Sequence, residues 1–202
     1  MLDPLLRRWI DPGLDRVAAW LVNWRLEANL ITLAGFAIGL LSLPLLALEH
    51  YRWALLAILC NRLLDGLDGA VARRNGITDL GGYLDIVCDM LFYAACVMGF
   101  ALARPENLLP AVLLLASFVG TATSFLAWAA LAARRGLSTN VRGTKSIYYS
   151  AGLVEGTETI AAFVLMCLWP SAFALIAVAF AVLCALTVLG RLVAARNFFA
   201  ED

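Results

Sequence analysis

Residues 65–89 read DGLDGAVARRNGITDLGGYLDIVCD, and four of their five aspartates lie within two largely apolar segments. Asp65 and Asp68 are three positions apart, and Asp85 and Asp89 are four positions apart. On a helix each of these pairs lies on one face. An ionisable side chain inside a membrane span is costly unless it is paired or solvated. This stretch therefore predicts two membrane helices, each with an acidic stripe that belongs to a functional site.

The composition of the whole chain also indicates a membrane protein. Of its 202 residues, 63% are hydrophobic and 15% are charged, whereas soluble domains are about half apolar. We expect an all-α, polytopic membrane helical bundle, with residues 1–28 as an N-terminal juxtamembrane amphipathic helix and residues 29–202 as the transmembrane domain. Its six predicted transmembrane helices cover residues 29–48, 51–73, 81–102, 108–133, 150–168 and 171–194.

The basic residues predict how the bundle is oriented. Arg52 and Arg104 flank one set of loops, and the other Lys and Arg residues outside the spans flank the opposite set. By the positive-inside rule, both termini and the connection between the second and third spans are cytoplasmic. We therefore expect a multi-pass protein of a bacterial inner membrane whose site faces the cytoplasm. The formal net charge is zero, so nucleic-acid binding is not expected.

Histidine and cysteine chemistry is largely excluded by the sequence. His50 is the one histidine of the chain, and the five cysteines lie in apolar runs without metal-ligand spacing. Zinc sites built on histidine, haem ligation and His-based triads therefore do not fit. A general base in this protein would have to be a carboxylate, a lysine or a tyrosine.

The four aspartates are predicted to meet at one depth. The second and third spans are antiparallel, and at about 1.5 Å per residue the outer acid of each pair lies about 6–8 Å from the cytoplasmic helix end and the inner acid about 12 Å from it. Four carboxylates cannot all stay ionised there without counter-charge. Hard oxygen ligands select Mg²⁺, Mn²⁺ or Ca²⁺, so we expect one or two divalent ions that bridge substrate phosphates.

Small residues accompany the first acidic pair. Gly66, Gly69, Ala70 and Ala72 would leave the helix backbone accessible to a phosphate, and Arg73 offers a guanidinium to diphosphate oxygens. Tight packing of small residues between membrane helices is the alternative explanation for the same pattern.

The same residues carry a resemblance to the CDP-alcohol phosphotransferase (phosphatidyltransferase) family. Its signature is D-x-x-D-G-x-x-A-R, a spacer, and G-x-x-x-D-x-x-x-D. The spacer has seven residues here instead of the usual eight, and Asn29 and Thr32 are similar to a family element P-N-x-x-T in which Ala28 replaces the proline. The signature positions are Asp65, Asp68, Gly69, Ala72, Arg73, Gly81, Asp85 and Asp89.

The resemblance implies an enzyme of phospholipid synthesis that transfers a phosphatidyl group from a CDP-linked lipid, usually CDP-diacylglycerol, to an alcohol and releases CMP. It implies two Mg²⁺ or Mn²⁺ ions and a homodimer. Asp89 would be the general base on the acceptor hydroxyl and would also contact metal. The implied metal ligands are Asp65, Asp68, Asp85 and Asp89, and the implied contacts to the CDP moiety are Gly69, Ala72, Arg73, Asn29 and Thr32.

The alcohol acceptor stays open between glycerol phosphate, inositol phosphate, serine and others. Arg134, Arg142 and Lys145 are candidates to bind a phosphorylated acceptor, although ordinary topology charge explains them equally. Glu155 and Glu158 are candidates to bind acceptor hydroxyls or an amine, with hydrogen bonding between helices as the alternative.

Two other classes of protein fit parts of this pattern. A divalent-cation transporter also clusters carboxylates between helices, but it would not need Gly69, Ala72 and Arg73 at these spacings. A noncatalytic scaffold would keep the hydrophobicity without the four acids.

Overall fold

The computed structural model describes residues 3–135, 154 and 156–199, and the elements in these ranges are helical. This confirms the predicted all-α class. Short 3-10 helices, Pro105–Asn107 and Pro170–Ala172, precede the sixth and eighth α-helices. The α-helices are α1 (Asp3–Asn23), α2 (Ala28–Leu40), α3 (Ser42–Ala47), α4 (Tyr51–Asn75), α5 (Asp79–Ala103), α6 (Leu108–Arg134), α7 (Gly156–Leu168) and α8 (Phe173–Phe199).

Four segments of the described chain are long and apolar enough to cross a membrane. They are Ala28–Ala47, Asp79–Ala103, Pro105–Arg134 and Pro170–Phe198. The helix α4 has 25 residues, which is about 37 Å at 1.5 Å per residue, but its acids and arginines lower its hydropathy. The described part of α7 is an apolar helix of 13 residues. The structure thus supports a multi-pass membrane protein with four of the six predicted spans.

The first of these segments is not one continuous helix. The chain leaves α-helical hydrogen bonding at Leu41, whose amide donates to the carbonyl of Ile38 at 3.1 Å. Pro44 has no amide hydrogen to donate to the carbonyl of residue 40, so the regular ladder is interrupted at this point. The sequence prediction of a single helix over residues 29–48 missed this break.

Close helix crossings hold α2 and α3 against α4 and α5. A methyl group added at Gly39 would lie 2.8 Å from Cδ2 of Phe92 on α5 and 2.9 Å from Nδ2 of Asn61 on α4. One added at Gly99 would lie 2.7 Å from Cβ of Leu46 on α3. Small residues let membrane helices approach in this way. The acid-bearing helices α4 and α5 are therefore packed on a common support.

The helix α1 packs along α4. Leu14 and Ala18 are buried there together with Ala70, and Cδ1 of Leu14 would be 2.8 Å from a methyl group placed on Gly66. Residues of the other face, including Trp20 at 58% exposure, are accessible. The helix is thus attached to the segment that carries the first two aspartates.

A short turn joins α4 to α5. Gly76 has a φ of 105°, which favours glycine, and directly follows the last residue of α4. Thr78 caps α5, since its hydroxyl accepts a hydrogen bond from the amide of Gly81 at 3.1 Å. This cap explains why α5 begins at Asp79, two residues before the predicted start, and it fixes the level at which the second acidic pair begins.

An ion pair joins the other ends of the same helices. Nη2 of Arg104, directly after α5, lies 2.7 Å from Oε2 of Glu49 in the turn between α3 and α4. The hydrogen bond from Arg104 lowers the pKa of the Glu49 carboxyl. Both groups are accessible, so the contact orients the turn more than it stabilises the fold.

The crossing at Gly99 provides a test of this packing. We expect Gly99→Ala to lower the free energy of unfolding by about 1–3 kcal/mol, because the added methyl overlaps Leu46 and the carbonyl of Leu43. Gly190→Ala on α8 is the matched control, since a methyl there meets no described atom within 4 Å. Thermal unfolding in detergent should show a lower midpoint for Gly99→Ala only. Equal midpoints for the two variants would contradict the described crossing.

Candidate active site

Three carboxylates converge between α4 and α5 in the described part of the chain. One oxygen from each of Asp65, Asp68 and Asp85 lies within 4.8 Å of the other two. The spacing of Asp65 and Asp68 directs both toward the same side of α4. The short turn after α4 then brings Asp85, on the second turn of α5, to their level.

The burial of Asp68 bears on whether these residues fit a cation. Asp68 is 6% exposed, and its Oδ2 has no hydrogen-bond partner among the described residues. A buried carboxylate oxygen without a partner is rare, because its desolvation is not compensated. Three hard oxygen donors, one from each of these carboxylates, fit a divalent ion of the Mg²⁺ or Mn²⁺ kind. The residues present therefore suit the metal that the sequence implies.

Asp89 lies in the same pocket but has different partners. Its Oδ1 lies 2.5 Å from Nη2 of Arg62, and its Oδ2 lies 3.3 Å from Nη1 of Arg62. The hydroxyl of Tyr93 also donates to Oδ2 at 3.3 Å. The structure therefore brings three of the four predicted metal ligands together and holds the fourth carboxylate in an arginine pair.

Arg62 is a residue of the pocket region that was not predicted from the sequence. It lies three positions before Asp65, and its Nη1 is 3.5 Å from Oδ2 of that residue. The rule that singled out the acids, an ionisable side chain within an apolar span, applies to Arg62 as well.

The pocket is formed by three helices, α2, α4 and α5. The hydroxyl of Thr32, predicted to contact the CDP moiety, reaches this pocket and donates to the carbonyl of Ala28 at 3.1 Å. Phe36 provides an apolar wall beside the acids. The lining residues are Thr32, Gly35, Phe36, Asn61, Asp65, Asp68, Asp85, Cys88 and Asp89.

The other residues predicted to contact the CDP moiety lie near the ends of the same helices. Nη1 of the exposed Arg73 would be 3.5 Å from a methyl group on Gly69, so the guanidinium lies beside that glycine. Ala72 is half-buried on α4. Oδ1 of Asn29 would be 3.2 Å from a methyl group on Gly81, which brings the start of α2 next to the start of α5.

The small residues around the acids divide into two groups. Gly66 and Ala70 belong to the packing between α4 and α1, as the contact of Gly66 with Leu14 shows. Of the atoms that the structure describes, those within 4 Å of a methyl group on Gly69 are confined to the end of the flexible Arg73 side chain. The packing alternative considered for these positions therefore describes Gly66 and Ala70, while Gly69 leaves the backbone accessible.

The predicted acceptor residues lie away from this pocket or beyond the described chain. Arg134 is exposed at the end of α6, and Glu158 is half-buried in the first turn of α7. Neither belongs to the pocket lining. Arg142, Lys145 and Glu155 lie outside the described residues.

Comparison with known proteins identifies relatives along most of the chain. The model of the CDP-alcohol phosphatidyltransferase family matches residues 25–193. The inner membrane protein YnjF of Escherichia coli is 51% identical over 192 residues, which is 95% of this chain and 93% of that protein. An archaetidylinositol phosphate synthase of Pyrococcus horikoshii is 33% identical over 98 residues, so the match covers 48% of this chain and 52% of that enzyme.

Solved structures show the same fold. The phosphatidylinositol phosphate synthase of Mycobacterium tuberculosis with CDP-DAG bound has a TM-score of 0.68 at 23% identity, covering 94% of this chain and 96% of that one. A structure of the same enzyme with manganese and citrate has a TM-score of 0.67 at 21% identity, with coverage of 94% and 92%. The helical arrangement described above is therefore shared with a solved membrane enzyme.

The match to the family model spans most of the chain and confirms the resemblance found in the signature residues. A relative that is about half identical over nearly its full length shows that the similarity to known proteins extends over the chain as a whole. The chain therefore belongs to the CDP-alcohol phosphatidyltransferase family, and it is a membrane transferase of substituted phosphate groups in phospholipid synthesis.

Proposed function

We propose that this enzyme transfers the phosphatidyl group of CDP-diacylglycerol to an alcohol hydroxyl and releases CMP at the cluster of Asp65, Asp68 and Asp85. The observation that carries the proposal is the convergence of these three carboxylates, together with a buried Asp68 oxygen that has no hydrogen-bond partner in the described part of the chain. A nucleotide diphosphate is the ligand class that carboxylate-held divalent ions bind best. The CDP-DAG bound by the mycobacterial structural relative supports this choice of donor.

Asp65, Asp68 and Asp85 would hold two Mg²⁺ or Mn²⁺ ions, with Asp89 as the fourth acid of the signature. When bound, such ions neutralise the diphosphate charge and make the reacting phosphorus more electrophilic. The manganese in a structure of the mycobacterial relative supports this class of cofactor. The remaining roles belong to the protein's own side chains.

The donor would bind along the exposed end of α4. Gly69 leaves the backbone accessible, and the adjacent Arg73 guanidinium can bind two diphosphate oxygens at once. The small side chain of Ala72 would not obstruct the donor on the same surface. Asn29 and Thr32 on α2 would contact the cytidine part of the donor. The acyl chains would extend into the bilayer from the apolar wall beside Phe36.

In the reaction, the acceptor oxygen attacks the phosphorus that carries diacylglycerol. A new phosphorus–oxygen bond forms as the bond to the bridging diphosphate oxygen breaks, and CMP leaves with that electron pair. The acceptor's proton passes to a carboxylate oxygen of Asp89, the general base. Positioning and charge neutralisation suffice for transfer of this kind, so no covalent enzyme intermediate is needed.

The membrane arrangement follows from this function. We infer a six-span domain over residues 29–202, in which α4 and the segment that contains α7 join the four apolar spans. Residues 1–28 would form a juxtamembrane helix in the bilayer interface, with Trp20 and Trp24 accessible for lipid. The site would open to the cytoplasm of a bacterial inner membrane, where CDP-activated lipid is used, and the enzyme would be a homodimer.

The acceptor would be selected beyond the described pocket. Arg134, Arg142 and Lys145 would bind the phosphate of an acceptor such as inositol phosphate or glycerol phosphate. Glu155 and Glu158 would bind acceptor hydroxyls. The enzyme names of two relatives, which end in inositol phosphate synthase, make inositol phosphate the first acceptor to test.

Release of CMP tests the proposed reaction. Purified enzyme with CDP-diacylglycerol and Mg²⁺ should release CMP with one acceptor among inositol phosphate, glycerol phosphate, serine and lipid alcohols. EDTA should abolish the release, and excess Mg²⁺ or Mn²⁺ should restore it, because the three carboxylates need a cation to bind the diphosphate. A divalent-cation transporter would release no CMP with any acceptor, and that result would end the proposal.

Amide substitutions separate the roles of the acids. Asp89→Asn should lower turnover by about 10²–10⁴-fold and largely preserve donor binding, because it removes the proton acceptor. Asp68→Asn should weaken Mn²⁺ and donor binding together. Asp79→Asn, in the first turn of the same helix α5, is the matched control and should retain activity. Unchanged turnover in Asp89→Asn would exclude it as the base.

The accessible backbone at Gly69 can be tested by adding a side chain. Gly69→Val should raise the KM for CDP-diacylglycerol about tenfold or more, since a blocked hydrogen-bonding or charge contact costs about 1–3 kcal/mol. The fold should tolerate it, because the nearest described atom to an added methyl is 3.5 Å away. Gly82→Val on α5, where a methyl meets no described atom within 4 Å, should leave KM unchanged. The same KM in both variants would remove Gly69 from the donor site.

A further inference from the structure

We propose that Cys88 gives the carboxylate pocket a sulfur ligand, so that thiophilic divalent cations of the Zn²⁺ and Cd²⁺ class bind there and inhibit the enzyme in competition with Mg²⁺ or Mn²⁺. The binding depends on the residues of the pocket alone. The inhibition rests on the proposed function of the same site, because it needs a reaction to inhibit. This assigns a role to a residue that is not one of the signature positions.

The five cysteines of the chain have different surroundings. Cys96, Cys167 and Cys184 belong to a buried apolar cluster. Cys88 is also buried, at 8% exposure, but it lines the pocket of the acids. Cys60 on α4 is half-buried and is not among the described residues that line this pocket. In the described part of the chain, Cys88 therefore supplies the thiol of the pocket.

Cys88 is a neighbour of the acids along α5. It lies three positions after Asp85, and residues three apart on a helix have Cβ atoms about 5–6 Å from each other. Zinc sites are usually recognised from cysteines and histidines at set spacing. The neighbour of this thiol is a carboxylate instead, so the pattern of cysteines gave no metal signal.

A second observation points to a cation at this place. Asp68 lines the same pocket at 6% exposure, and its Oδ2 has no hydrogen-bond partner among the residues that the structure describes. One oxygen from each of Asp65, Asp68 and Asp85 lies within 4.8 Å of the other two. A cation that enters the pocket therefore meets three carboxylates and, on the wall that α5 provides, a thiol.

The mixed set of ligands changes which cations the pocket prefers. Mg²⁺ and Mn²⁺ favour carboxylate oxygens, whereas thiolate sulfur favours zinc and softer ions. Zn²⁺ accepts both cysteine sulfur and aspartate oxygen. As the bond between sulfur and metal forms, the Cys88 thiol releases its proton to water, and no electron is transferred. The sulfur thus raises the affinity for a thiophilic ion and has little effect on the affinity for a hard one.

Inhibition follows from the shared carboxylates. An ion held by Cys88 together with Asp68 and Asp85 uses oxygens that the catalytic ions need in the proposed function. Its charge also opposes a further cation in the same pocket. The donor diphosphate, which the hard ions would bind, then loses its site. Excess Mg²⁺ should reverse the effect, because the two kinds of ion compete for the same oxygens.

The first test compares inhibition constants at a fixed Mg²⁺ concentration. Cd²⁺ should inhibit CMP release by the wild type at concentrations about tenfold or more below those needed for Cys88→Ala, since loss of a group that supports a metal site commonly costs that much affinity. Each rate is compared with the uninhibited rate of the same variant, so basal turnover does not enter. Cys60→Ala is the matched control and should keep the inhibition constant of the wild type.

The second test measures cadmium binding without activity. Cd²⁺ should produce the ultraviolet charge-transfer absorption of a cadmium–thiolate bond in the wild type and in Cys60→Ala, but not in Cys88→Ala. Excess Mn²⁺ should reduce this absorption, and Asp68→Asn should weaken it. Mn²⁺ affinity, measured by electron paramagnetic resonance of the free ion, should stay close to wild type in Cys88→Ala. A purely structural role of Cys88 would instead lower both affinities.

Three results would overturn the assignment of Cys88. They are equal inhibition by Cd²⁺ in the wild type and in Cys88→Ala, a cadmium–thiolate absorption that persists in Cys88→Ala, and an absorption that excess Mn²⁺ does not reduce. If Cys88→Ala does not fold, Cys88→Ser is measured in the same way, because its hydroxyl replaces the soft ligand at similar size. Absence of CMP release from the wild type with every acceptor would end the proposed function. The absorption and its competition with Mn²⁺ would still decide whether Cys88 binds the cation.

Discussion

Repulsion among carboxylates in a medium of low dielectric constant is the constraint on which this site depends. Asp65, Asp68 and Asp85 lie within contact distance of a single ion, and Asp89 is close enough to share their pocket. Like charges at this spacing cannot remain ionised without compensation. Among the described residues, Arg62 supplies a positive charge next to Asp89. Oδ2 of Asp68 has no hydrogen-bond partner in the same part of the chain, and a divalent ion bound there would complete the charge balance.

Helix geometry determines that these charges meet at all. The turn after α4 contains Gly76 at a positive φ and the Thr78 cap, and it sets the level at which α5 begins. Glycines at the crossings with α2 and α3 allow the helices to approach closely, as the short distances at Gly39 and Gly99 show. The ion pair of Glu49 with Arg104 joins the opposite ends. A shift of one residue in α5 would rotate its acids by about 100°, away from those of α4.

Much of this could be predicted from the sequence, and the remainder depended on tertiary contacts. The spacing of the acids and the apolar runs indicated α4, α5 and their shared site, and the signature residues indicated the family. Pro44 indicated the helix break at Leu41, but the apolar run over residues 29–48 has the length of one continuous span and favoured a single helix. The pairing of Arg62 with Asp89 has no such signal, because the two residues are 27 positions apart. Arg62 lies three positions before Asp65 on the same helix, but only the packing of α5 brings Asp89 and Tyr93 opposite it.

The origin of the pocket lining bears on how one fold can serve different acceptors. The nine lining residues that the structure describes come from α2, α4 and α5, which are the helices that carry the signature and the small residues. Within α4, Gly66 is used for packing against α1, whereas Gly69 stays accessible beside Arg73. In the proposed function, cation binding, donor binding and the base would therefore be concentrated on these three helices. Such a site would bind features common to every CDP-linked donor, so the alcohol would be selected by side chains outside it. The described helices α6 to α8 contribute none of the described lining residues, so they could differ between relatives without changing these acids.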